Sequence, residues 1–190
     1  MMYLTRRHAL HTLSLATLSL FIPDMSFAAG KALIVYFSRS GNTRKIAEYI
    51  HDALKCDIAE LKPKMPYPEN YDIVVNQAKT EQKNGARPLL ADPIPNPAPY
   101  DTIYLGYPNW WGTMPMLLFT YLEGHDFTGK TIYPFCTHGG SALGRSVDDI
   151  KKCCPAAHIG EGLAIEGKYA ASAKKKVIAW LSKQQSGVRK

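Results

Sequence analysis

The chain has 190 residues, 46% of them hydrophobic, with 23 basic and 16 acidic residues and a formal charge of +7. That length serves one full hydrophobic core and is short for two, and the composition is that of an ordinary globular domain. The basic excess sits in short runs such as Lys174 to Lys176, a pattern typical of a solvated helix face, and no aromatic-interleaved basic patch accompanies it, so no nucleic-acid partner is expected.

The first segment, "MMYLTRRHALHTLSLATLSLFIPDMSFAAG", has a charged start, an apolar middle from about Thr12 to Ile22 and a small-residue ending, the three-part form of a secretory signal. Its middle falls short of the roughly 20 apolar residues that span a bilayer, and "SFA" at Ser26 to Ala28 offers an A-x-A-like cleavage site. Residues 1–28 therefore read as an export signal and 29–190 as the domain, with no stable membrane anchor once the signal is removed. Arg6 and Arg7 ahead of a weakly hydrophobic stretch match a twin-arginine signal; a general secretory signal is the alternative. The expected location is periplasmic or otherwise exported, in a bacterium. Removal of the signal leaves 21 basic and 15 acidic residues, a formal charge of +6.

After the signal, Lys31 to Phe37 is an apolar run of strand length, and Thr43 to Leu54 places Ile46, Ile50 and Leu54 on one helical face. A short strand near Asp57 to Leu61 follows, ended by the prolines of "KPKMPYP", and "ENYDIVVNQAKTEQKNG" reads as a helix closed by Gly85. The five prolines of "ARPLLADPIPNPAPYD" mark a surface connection within the domain. "TIYLGY" is a buried strand, "PNWWGTMP" a loop, and Pro115 suits the first turn of a helix to about Glu123. "KTIYPFC" is a strand, and "THGGSALG" a second glycine-rich loop before a helix to about Lys152. A last strand near His158 to Gly162 precedes a helix from about Tyr169 to Ser182 with Ala173, Val177, Trp180 and Leu181 as its inner stripe. Five strands alternating with helices imply an α/β three-layer sandwich, a five-stranded parallel sheet with helices on both faces.

Four cysteines, Cys56, Cys136, Cys153 and Cys154, are too few and too irregular for a disulfide scaffold or a zinc site, so thiols and no metal are expected. The adjacent Cys153 and Cys154 have α-carbons about 3.8 Å apart, below the usual disulfide window.

In an open parallel sheet the loops at the carboxyl ends of the strands line one edge, where ligands bind. Three unusual loops fall there. "SRSGNT" carries the side-chain donors Ser38, Ser40, Asn42 and Thr43 and the small Gly41, directly before a helix N-terminus whose free N–H groups favour an anion. It lacks the Gly-Lys-Ser/Thr ending of a nucleotide-hydrolysing loop and lacks G-x-G-x-x-G. The bland reading is a helix cap in a polar turn. "PNWWGTMP" sets Trp110 and Trp111 in a short turn, suited to wall a flat apolar group; one of the two is expected to pack back under the proline-rich segment, and spacing does not say which.

"YFSRSGNTRKIA", "YLGYPNWWGTMP" and "PFCTHGGSALG", in this order, resemble the flavodoxin family of small FMN-binding electron carriers, over about Lys31 to Ser182. The resemblance implies the flavodoxin-like strand order 2-1-3-4-5 and FMN as cofactor. By position, Ser38, Arg39, Ser40, Gly41, Asn42 and Thr43 would hold its phosphate. Pro108, Asn109, Trp110, Trp111 and Gly112 would flank one side of the isoalloxazine, and Thr137, His138, Gly139, Gly140 and Ser141 the other. The implied function is electron exchange with a redox partner protein or a quinone, with a small FMN-dependent NAD(P)H or quinone reductase as the alternative; no catalytic residue is assigned. Two departures stand out: the domain is basic where soluble carriers tend to be acidic, and Ala142 stands where many relatives place a glycine. His138 and Arg145 suggest positive charge beside the ring, which would favour an anionic reduced flavin.

Rival chemistries on the same loops are weaker. A cysteine phosphatase built on Cys136 needs an arginine where Ala142 stands, and a nucleophile elbow at Ser141 needs a glycine where Leu143 stands. A cofactor-free binding module stays open because fold alone does not fix function.

Overall fold

In the computed structural model, which describes residues 31–187, the long apolar runs are the central strands. The expected export signal, residues 1–28, lies outside the described residues. Strands β1 (Ala32–Tyr36), β2 (Asp57–Glu60), β3 (Thr102–Pro108), β4 (Thr131–His138), β5 (His158–Ile159) and β6 (Leu163–Glu166) alternate with helices α1 (Asn42–Leu54), α2 (Tyr71–Lys83), α3 (Met116–Glu123), α4 (Ser146–Cys153) and α5 (Lys174–Gly187). All strand pairs are parallel, in the order β2-β1-β3-β4-β5, with β6 also on β4. This is the flavodoxin-like order.

Alternate strand residues feed two cores, as a sheet covered on both faces requires. Ile34, Tyr36, Tyr104 and Phe135 pack against Ile46, Ala47 and Ile50 of α1 and Ala173, Val177, Trp180 and Leu181 of α5. Leu33, Val35, Ile103, Leu105 and Tyr107 pack against Leu117, Leu118, Tyr121 and Leu122 of α3 and Ile150 of α4. Gly106 in β3 has a steric reason: the Phe135 ring lies over it, and a Cβ there would sit 2.2 Å from that ring.

The last strand departs from expectation. It runs as two short pieces along β4: β5 pairs with the start of β4, and β6 with its end, from Phe135↔Leu163 to His138↔Glu166. Gly160 and Gly162 stand between the pieces, close under Tyr133, Leu143 and Pro134, where a Cβ would collide. The following helix is also divided, into a 3₁₀ segment at Gly167–Ser172 and then α5. The practical result is that β6 carries the chain to the same sheet edge as the three loops. β4 likewise runs two residues further than expected, so Thr137 and His138 are strand-end residues.

Helix α2 is capped by Asn70, whose Oδ1 accepts from the Ile73 N–H at 3.1 Å. It packs beside α3 and borders the site. The four cysteines are free thiols. Among the described residues, no helix is long and apolar enough to cross a membrane.

Candidate functional site

The chain leaves β1 at Phe37, whose N–H donates to the Gly106 carbonyl at 3.0 Å, and turns into α1 through Gly41 at φ +86°. That left-handed conformation is cheap for glycine alone, and a Cβ there would meet only open space. Despite the hydroxyls around it, α1 has no side-chain cap, so the helix-cap reading of this loop fails. Its first-turn N–H groups have no helical acceptor by construction, and Ser40 and Asn42 on either side of Gly41 line the cleft described below. Ser38 Oγ is buried with no hydrogen-bond partner among the described residues, a costly arrangement for a protein to keep without use. An anion accepting from Ser38 and from the first turn of α1 satisfies both sets of donors.

Two further residues of this loop are tied to neighbours. Thr43 Oγ1 lies 2.8 Å from Thr137 Oγ1, buried, and couples the first loop to the end of β4. The Arg39 guanidinium donates to the carbonyls of Glu69 and Pro68 and lies 5.9 Å from the Tyr71 ring centroid, so it braces the segment entering α2.

The second loop is a two-residue turn. Trp110 and Thr113 exchange backbone hydrogen bonds at 2.8 and 3.2 Å, and the residues between them, Trp111 and Gly112, have φ +53° and +83°, the pattern of a primed hairpin turn. A tryptophan in that region is strained, and its Nε1 bond to the Val75 carbonyl at 3.0 Å holds it against α2. Trp110 is the tryptophan that packs inward, against Phe37 and Tyr67, neither of which belongs to the proline-rich segment of residues 86–101. It meets Phe37 and Tyr67 edge-on, with centroids 5.6 and 5.0 Å away, while Trp111 is exposed.

The third loop is fastened to the second. Asn109 Nδ2 donates to the Ala142 carbonyl at 2.8 Å, its Oδ1 accepts from the Gly112 N–H at 3.0 Å, and the Arg145 N–H donates to the Gly112 carbonyl at 2.8 Å. Below them Asp149, almost fully buried, accepts from Thr113 Oγ1 at 2.7 Å and pairs with Arg145 Nε at 3.2 Å. Ala142 adopts φ +48°, which explains why a glycine suits this position. His138 Nδ1 accepts the Gly140 N–H at 3.0 Å, which leaves Nε2 to carry the proton. Burial first, and Lys176 with it, push the imidazole below its ordinary value against the opposing pull of Glu166. His138 is thus a neutral donor at neutral pH, and Arg145 is committed to Asp149. Of the two residues expected to bring positive charge beside a ring, His138 lines the cleft described below and Arg145 is not among its lining residues.

These loops enclose a cleft of about 450 Å³, within the range of small-molecule sites. Of the residues named from sequence, Arg39, Ser40, Asn42, Pro108, Asn109, Trp110, Thr137, His138 and Gly139 line it. Ser38 and Gly41 of the turn, Thr43 of the first turn of α1, and Trp111, Gly112, Gly140 and Ser141 are not among its lining residues. Trp111 instead borders an adjoining groove of about 280 Å³ along α2. Four lining residues escaped the sequence reading: Tyr71 at the start of α2, and Glu166, Gly167 and Lys168 at the end of β6. The alternation of "LAIE" at Leu163–Glu166 was the available signal for the latter group.

The rival nucleophiles fit poorly. Burial pushes the Cys136 thiol up to about 12, so it is protonated at neutral pH, and no hydrogen bond joins the Ser141 side chain to His138 among the described residues.

The family model described as Flavodoxin matches residues 31–184. The chain belongs to the flavodoxin family. Among solved structures, this flavodoxin-family chain is 32% identical to a protein of Bacteroides eggerthii DSM 20697 provisionally described as a flavoprotein, over 81% of this chain and 97% of that one, with a TM-score of 0.71. A similarly described protein of Bacteroides uniformis ATCC 8492 is 29% identical over 80% and 98%, with a TM-score of 0.72. A flavoprotein of Lactobacillus acidophilus NCFM, solved in complex with FMN, shares the fold at 24% identity over 78% and 98%, with a TM-score of 0.61. No match was found among curated proteins.

Proposed function

We propose that this flavodoxin-family protein binds FMN in the 450 Å³ cleft and exchanges electrons with a redox partner outside the cytoplasm. The observation that carries the FMN reading is the first loop: a helix N-terminus without a side-chain cap beside a buried serine hydroxyl without a partner among the described residues, a donor set that fits a phosphate. Family membership supports the same reading.

Bound FMN supplies the redox chemistry, and the protein's part is to hold and tune it. Ser38, Ser40, Asn42, Thr43 and the first-turn N–H groups of α1 would bind the phosphate. Asn109 and Trp110 would stand on one side of the ring, and Thr137, His138 and Gly139 on the other. His138, neutral with its proton on Nε2, would offer a hydrogen-bond donor without adding charge. Trp111, Gly112, Gly140 and Ser141 would act through the turns they form.

Purified protein should show the absorption of an oxidised flavin, and mass spectrometry of what denaturation releases should identify FMN at one per chain. A colourless protein that takes up no added FMN would overturn the proposal. Export rests on residues 1–28; a mature N-terminus at Ala29, and retention in the cytoplasm when Arg6 and Arg7 are both changed to lysine, are the expected results.

A further inference from the structure

Of the residues lining the proposed FMN cleft, three are basic: Arg39, His138 and Lys168. Two of them bring no free cation to it. The Arg39 guanidinium is bonded to the carbonyls of Glu69 and Pro68 and lies against Tyr71. The His138 imidazole is held below its ordinary value, by burial first, and is neutral at neutral pH. Arg44, directly after the phosphate turn, is committed elsewhere, since its Nη2 donates to both oxygens of Glu60 at 2.8 and 3.0 Å.

Lys168 differs in both place and partner. It follows Gly167 at the start of the 3₁₀ segment, which packs on α1. Gly167 runs so close to Asn42, the first residue of α1, that a Cβ there would sit 2.7 Å from Asn42 Nδ2. The backbone that carries Lys168 thus departs from a residue in near contact with the phosphate turn. Its ammonium lies 2.8 Å from Glu166 Oε2 and 4.8 Å from the Tyr169 ring centroid. Both side chains of the pair are exposed, by 66% and 41%, and an ion pair so open to water contributes little. A lysine stem is flexible enough to carry its ammonium from one acceptor to another. A phosphate monoester carries about −1.5 to −2 charges at neutral pH, more than a carboxylate, so it is the stronger acceptor for that ammonium.

We propose that Lys168 is a further cofactor-binding residue: its ammonium leaves Glu166 and pairs with the phosphate of FMN, and Glu166 competes with the cofactor for it. The proposal rests on the FMN reading and deepens it. Ser38, Ser40, Asn42 and Thr43 offer neutral donors, and Lys168 adds the charge that the first loop lacks. The Glu166–Lys168 pair thereby sets how strongly the cleft prefers the phosphorylated flavin over riboflavin.

The test compares FMN with riboflavin on the purified protein freed of flavin, by quenching of flavin fluorescence. Lys168→Met keeps most of the stem and removes the charge; it should weaken FMN about tenfold and riboflavin less than about twofold. Lys64→Met, at an exposed lysine outside the cleft wall, should leave both ligands within about twofold. Glu166→Gln should strengthen FMN about threefold, and most of that gain should vanish in the Lys168→Met background, because a carboxylate that merely repelled the phosphate would act in both. FMN affinity unchanged by Lys168→Met, equal losses of FMN and riboflavin, or an equal gain from Glu166→Gln in both backgrounds would overturn the proposal. Inorganic phosphate separates it from the cofactor reading. Amide NMR shifts at Asn42 and Lys168 on titration with phosphate, lost in Lys168→Met, in a protein that takes up neither flavin would keep the cation site and discard FMN. A protein that binds neither flavin nor phosphate would overturn both.

Discussion

Replacing Ser38 by alanine should move two measurements in opposite directions. The Ser38 hydroxyl is buried and has no partner among the described residues, and an unsatisfied buried hydroxyl costs about 1–3 kcal/mol. Alanine removes that cost without opening a large space, so the apoprotein should gain stability by about 1 kcal/mol or more in urea unfolding. If the same hydroxyl donates to a phosphate, the lost charge-assisted bond is worth about 1.5–3 kcal/mol, or roughly ten- to hundredfold in FMN affinity. Riboflavin has the ring and no phosphate, so its affinity should change by less than about threefold, within 0.7 kcal/mol. Quenching of flavin fluorescence measures both ligands on both proteins. An apoprotein destabilised by Ser38→Ala with FMN affinity unchanged would refute the reasoning, because the serine would then be an ordinary structural residue.

Asp149→Asn removes the charge that holds Thr113 and Arg145; it should destabilise the fold by about 1–3 kcal/mol and weaken FMN and riboflavin by the same factor, since both depend on the second and third loops. Gly144→Ala would set a Cβ 2.2 Å from the Gly112 carbonyl at φ +55°; overpacking plus strain should cost about 2 kcal/mol or more, read by thermal unfolding and by loss of ring binding. For His138, the folded imidazole binds its proton less readily than the unfolded one, whose ordinary value is 6.5. Its contribution is therefore complete above pH 6.5 and is lost as pH falls below that through the folded value. The stability difference between wild type and His138→Gln should be constant above pH 7 and shrink toward pH 5; a flat difference would count against it.

The strand, turn and helix of the first loop were legible because local sequence determines them: a buried strand, a small flexible turn and a helix start require little tertiary information. The strand order was not a matter of local pattern and came from the family resemblance. Where sequence reading stopped short, distant contacts decided. Local pattern ends the last strand at Gly162 because its two pieces are short and separated by glycines. What completes it is pairing of Leu163–Glu166 with β4, an interaction across about 28 residues that no local period reveals. Trp110 and Trp111 are adjacent and chemically equal, and only their partners, Phe37 and Tyr67 for one and Val75 for the other, separate their roles. Which nitrogen of His138 carries the proton depends on the Gly140 N–H two residues on, a turn geometry invisible in composition.

The central claim is that the turn from Ser38 to Thr43 grips the phosphate of FMN. Amide NMR of the apoprotein, titrated with FMN and separately with riboflavin, tests it at the atoms concerned. The N–H resonances of Gly41, Asn42 and Thr43 should shift strongly with FMN and little with riboflavin, while the Trp110 indole responds to both. FMN binding that leaves those three amides unmoved, or shifts them equally with riboflavin, would contradict the account.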